Sequence, residues 1–103
     1  MYNVVFITAS SKEEAEKISR GLLEARLAAC VNIIGGVHSY FWWEGKIDKA
    51  DEALLIVKTK KTHLAKLIKK VKMLHSYEVP EIIALPIVAG NKKYLDWIGS
   101  STR

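Results

Sequence analysis

The chain has 103 residues, half of them apolar and 26% charged, and carries a net charge of +5 at pH 7. This is a globular composition with room for one domain and one core, which excludes a disordered tail or a fibrous repeat. The single cysteine, Cys30, rules out an internal disulfide and any Cys-x-x-Cys zinc or redox motif.

No apolar stretch approaches the roughly 20 residues needed to cross a bilayer. The opening run MYNVVFITAS lacks the basic segment of a secretory leader. A cytoplasmic location and no membrane partner are therefore expected. The lysines gather between Lys58 and Lys72. They read as a solvated helix face, so no specific nucleic-acid partner is expected either.

The elements follow in chain order. Residues 2–8 form a strand rich in β-branched and aromatic side chains. Val5 and Ile7 point to one face, and Tyr2, Val4 and Phe6 to the other. Both faces are apolar, which suggests an inner strand. Ser11 and Glu14 have the spacing of a capping box. Ala15, Ile18, Leu22, Ala25 and Ala29 then recur at helical spacing, predicting a first helix over roughly residues 12–28. Cys30 to Ile34 resumes a strand, Gly35-Gly36 marks a bulge or bend, and residues 37–43 are extended and aromatic. Glu44-Gly45-Lys46 is read as the hairpin turn, and the return arm runs from Ile47 to Thr59.

Leu64, Leu67, Ile68, Val71 and Leu74 define a second helix. Pro80 lies outside it, and residues 82–88 form a fourth strand in which Pro86 favours an edge. Asn91 is the expected N-cap of a short last helix, with Gly99 expected to end it. The order β-α-β-β-α-β plus a C-terminal helix predicts an α+β, ferredoxin-like domain with an antiparallel sheet over residues 1–103.

In that fold both main helices cover one face of the sheet. The other face holds Tyr2, Phe6, the Ile33/Ile34 region and the 54–57 run, more apolar surface than water tolerates. The hairpin arms are also too long for the domain. Self-association over this face is the expectation; coverage by the last helix alone is the simple alternative.

Each chemically notable residue has a plain reading beside a functional one. His75 ends the second helix, where a histidine favours the helix C-terminus. It also sits beside Tyr77, Glu78 and Glu81 around Pro80, a loop with imidazole and carboxylate ligands that suit copper, zinc or nickel. His63 and His38 are read as surface residues. Cys30 reads first as a buried small hydrophobe. Tyr40, Phe41, Trp42 and Trp43 alternate in direction, and one pair is expected to meet another subunit. A base-stacking platform is the rival reading, and the aromatic-free LLIVKT of the neighbouring strand counts against it. No glycine-rich phosphate loop, serine elbow or paired-carboxylate motif is present, and the 9–12 loop offers Lys12 but no arginine. No catalysis is expected.

RLAACVN (26–32), WEGKI (43–47), LLIVKT (54–59), HSYEVPEI (75–82) and YLDWI (94–98) together resemble the divalent-cation tolerance protein CutA family. The resemblance spans nearly the whole chain in the right order. It implies a homotrimer similar to that of the PII signalling proteins, a cytoplasmic role in copper tolerance, and weak binding of Cu2+ or another divalent cation. His75 is then the metal candidate, with Glu78 and Glu81 as further oxygen ligands. Cys30, Phe41, Trp43, Lys58 and Tyr77 fall at interfaces or clefts between subunits. The alternative it implies is small-ligand sensing in those clefts, with Lys58 and Trp43 as contacts. The family's frequent His-Pro-Tyr is His75-Ser76-Tyr77 here, and Phe41 stands where tyrosine is usual. The metal ligands attributed to some bacterial members fall on Ile7, Leu74 and His75, so two of three are missing.

Overall fold

The computed structural model describes all 103 residues. Strand β1 (Tyr2–Ala9) is followed by helix α1 (Lys12–Glu24), the long strands β2 (Cys30–Trp43) and β3 (Lys46–Lys60), a 3-10 turn (Lys61–His63), helix α2 (Leu64–Leu74), strand β4 (Ile82–Pro86) and helix α3 (Lys92–Ser101). The four strands form one antiparallel sheet in the order β2-β3-β1-β4. The two inner strands are the first and third in sequence, as a ferredoxin-like α+β fold requires.

Alternation along β1 decides which side is core. Asn3, Val5, Ile7 and Ala9 are buried under the helices, while Tyr2, Val4 and Phe6 are only half-buried. Leu55 and Val57 of β3, Ile18 and Leu22 of α1, and Leu67 and Val71 of α2 join Val5 and Ile7 in one cluster with no exposed surface. Helices α1 and α2 touch closely at Gly21, where a β-carbon would lie 2.6 Å from Leu74 Cδ1.

Helix α1 begins as its sequence suggests: Ser11 accepts a hydrogen bond from the Glu14 amide at 3.1 Å. It ends at Glu24, four residues short of the expected 28. The reason is a Schellman stop. The Leu27 amide donates to Leu22 O and the Arg26 amide to Leu23 O, each at 3.0 Å. Arg26 takes the left-handed conformation there, φ 59°, where glycine is usual.

The turn between β2 and β3 is shorter than expected. Glu44 and Gly45 alone form it, both at positive φ, and Trp43 pairs with Lys46. This is the geometry that matches strand twist in two-residue hairpins. The bulge falls between Ile34 and Val37, as Gly35-Gly36 foretold.

Strand β4 is an edge strand that ends at Pro86, two residues before the expected end; the Ile87 amide still donates to Tyr2 O at 2.9 Å, so the missing amide of Pro86 falls on the outer, unpaired side of the strand. Gly99 lies inside α3 and does not end it. Its missing side chain admits Tyr2, whose hydroxyl would be 2.9 Å from a β-carbon at that position.

β1 pairs only with Ala53–Lys60 of β3, so residues 46–52 and their β2 partners project beyond the core. The molecule accordingly measures 44 × 26 × 23 Å. Its radius of gyration is 14.0 Å, against about 13 Å for a compact chain of this length. Helix α3 covers the open sheet face near Tyr2 and Cys30. Ile34, Ile83 and Leu85 stay about half exposed on it.

Candidate functional site

The loop after α2 carries most of the residues singled out from sequence, and it is tied down on three sides. His75 caps α2 and its side chain is fully buried. Nε2 lies 2.7 Å from Thr8 O at the end of β1, and Nδ1 accepts the Tyr77 amide at 3.0 Å. A carbonyl only accepts, so the hydrogen sits on Nε2. Both ring nitrogens are therefore engaged, and no lone pair faces solvent. A metal centred on His75 would have to break one of these bonds. The arrangement makes His75 a clasp between α2 and β1. Glu78 and Glu81 are exposed beside it. Within one chain no three His, Cys, Asp or Glu side chains gather in a group that would hold a metal ion.

Two carboxylates that the sequence did not mark as site residues complete the clasp. Glu14 accepts from the Ser10 amide at 2.9 Å, the Ser10 hydroxyl at 3.0 Å and the Ser76 amide at 2.8 Å. Burial alone would raise its pKa, but these donors outweigh it and bring the carboxyl down to about 2. Glu52, at the base of the hairpin, accepts the Tyr77 hydroxyl at 2.9 Å. Burial, and then Glu52, push that phenol up to about 12. The capping-box spacing pointed to Glu14 but not to Ser76. Nothing in the local sequence pointed to Glu52.

A second cluster lies on the open sheet face. Cys30 and Lys58 are paired across β2 and β3. Lys58 Nζ is 3.8 Å from Cys30 Sγ and hydrogen-bonds Asn32 Oδ1. Cys30 is half-buried rather than sealed in the core. Tyr94 of α3 reaches it; burial, then the thiol, raise the tyrosine pKa. Phe41 and Trp43 lie on the overhanging hairpin, 38% and 54% exposed. The structure does not bring them to the His75 loop.

His63, expected at the surface, is buried at the start of α2, and its Nε2 has no partner. Burial, then Lys60 and Lys66, lower its pKa. His38 is exposed on the hairpin next to Asp51.

A ferredoxin-like fold with a projecting hairpin and a clasped loop after its second helix is a recognisable class. The family profile of the CutA1 divalent ion tolerance protein matches residues 3–101. The chain is 50% identical to the divalent-cation tolerance protein CutA of Thermus thermophilus over 102 residues, 99% of each chain. It is 53% identical to that of Archaeoglobus fulgidus over 98 residues, 95% of each. Protein CutA 1, chloroplastic, of Oryza sativa is 48% identical over 100 residues, and there the chain spans only 56% of the relative's length. The solved Thermus thermophilus structure superposes with a TM-score of 0.98 at 50% identity, covering 100% of both chains. This chain belongs to the CutA1 divalent ion tolerance family.

Proposed function

We propose that the chain works as a divalent-cation tolerance protein: a cytoplasmic, non-enzymatic homotrimer that binds copper or a similar divalent ion weakly. The observation that carries this reading is the full-length family match, in which relatives covered almost end to end are named for divalent-cation tolerance. The open sheet face supports the assembly. Phe6 pairs with Ile56 on one side and Ile83 on the other, next to Ile34 and Leu85, an apolar patch that a second copy would bury. No helix is long and apolar enough to cross a membrane.

Calorimetric titration of the purified chain with Cu2+ and with Zn2+ tests the cation half. Saturable binding with the same stoichiometry per chain for each ion supports it. An absence of binding in metal-free buffer contradicts it.

A second reading, sensing of a small anionic ligand in clefts between subunits, is favoured by Lys58. Its ammonium is held by Asn32 beside Cys30 on the uncovered face, a place for a ligand anion. Binding of small organic anions that is lost in Lys58→Ala, with no binding of Cu2+, would put this reading first.

A further inference from the structure

The three histidines differ sharply in what their rings can do. Those of His75 and His63 are withdrawn from solvent, the first by two hydrogen bonds and the second by burial of its Nε2. His38 is the opposite. Its side chain is 72% exposed, and Nδ1 lies 2.7 Å from Asp51 Oδ1. A carboxylate only accepts, so Nδ1 carries the hydrogen, and in the neutral ring Nε2 keeps its lone pair. A carboxylate that fixes one imidazole nitrogen and leaves the other free is the usual setting of a metal-binding histidine.

We infer that His38 Nε2 is the primary ligand for a borderline divalent cation such as Cu2+ or Zn2+ on the projecting hairpin, with Asp51 positioning the ring. The inference rests on the reading of the chain as a cation-binding protein and names the site within it. His38 and Asp51 are cross-strand partners whose placement follows from the two-residue turn. They line a hollow of about 260 Å³ with Tyr40 and Lys49.

By strand alternation Asp51 lies on the same side as Ala53 and Leu55, which are buried under the helices. His38 opposite it is therefore on the side away from the apolar face proposed to meet other subunits. Water fills the remaining positions, because His38 brings the one imidazole to the hollow and Asp51, the one carboxylate there, is engaged with its Nδ1. The Lys49 ammonium in the same hollow opposes a cation and keeps the site weak. An imidazole nitrogen completed by water oxygens suits Cu2+ and Zn2+ better than Mg2+ or Ca2+.

The test is a Zn2+ titration followed by the histidine side-chain nitrogen resonances, paired with Cu2+ calorimetry on wild type, His38→Gln, Asp51→Asn and His75→Gln. The His38 Nε2 signal of the wild type is expected to move first, while the His75 pair stays in place. His38→Gln is expected to weaken Cu2+ binding at least tenfold, and Asp51→Asn about tenfold, as for loss of a ligand-orienting carboxylate. Both sites are exposed, so circular dichroism should show the wild-type fold. Unchanged affinity in His38→Gln, with wild type still binding, overturns the His38 assignment alone. Full affinity in His38→Gln together with loss in a folded His75→Gln overturns it in favour of the loop. No binding by the wild type overturns this inference together with the cation-binding reading.

Discussion

The Tyr77 hydroxyl donates to Glu52 Oε2 at 2.9 Å, which fastens the loop after α2 to the base of the β2–β3 hairpin. Residue 52 is where β3 runs past the last partner in β1, so this bond lies where the sheet changes from core to overhang. Tyr77→Phe removes the donor and leaves the carboxylate half-buried. The expected cost is about 1–2 kcal/mol, because the acceptor is charged, read as a lower urea midpoint with an unchanged slope. The phenol titrates near 12 in the folded chain and near 10 when unfolded. The stability it contributes is complete below about pH 10 and lost as pH rises through 12. The phenylalanine variant should lose that part of the alkaline transition.

Glu14 makes the matching prediction in acid. Its folded pKa of about 2 lies below the ordinary 4.5. The carboxylate's contribution is therefore complete above about pH 4.5 and disappears as pH falls to about 2. It amounts to at most about 3 kcal/mol. Glu14→Ala should remove most of the difference between stability at pH 6 and at pH 2. An acid transition of unchanged size would show that other groups drive it.

Arg26 predicts a gain. A non-glycine residue in the left-handed region costs roughly 1–2 kcal/mol. The only side-chain hydrogen bond Arg26 makes is a long one, from Nη1 to Ser101 O at 3.4 Å. Arg26→Gly should stabilise the chain by about 0.5–1 kcal/mol after the greater backbone entropy of glycine is counted. Thermal unfolding followed by circular dichroism checks this, and a lower midpoint would mean that the Ser101 contact outweighs the strain.

The elements that could be read from sequence are those governed by local periodicity. Val5 and Ile7 against Val4 and Phe6 give their two faces by alternation, whereas the continuous apolar run 54–57 hid that only Leu55 and Val57 enter the core. Ser11 marks its helix start through a bond three residues away. The end of α1 was misplaced because Arg26 occupies a position normally marked by glycine, and Gly99 misled in the opposite sense by serving packing. The candidate site was less legible for a different reason. His75 meets Thr8, 67 residues distant, and Tyr77 meets Glu52, 25 residues distant. Those pairings exist only once the sheet order is fixed. The His38–Asp51 pair was accessible in principle. Counting outward from a Glu44-Gly45 turn sets 38 opposite 51, but the three-residue turn read from the sequence hid the register.

Assembly through the open face is the central claim, and molar mass in solution tests it most directly. Light scattering on the purified chain at low micromolar concentration should return three times the 11.6 kDa chain mass. Phe6→Glu combined with Ile83→Glu should reduce it to the single-chain mass, since like charges paired directly across β1 and β4 would face the partner. A wild-type chain that stays at 11.6 kDa across the concentration range would contradict the account.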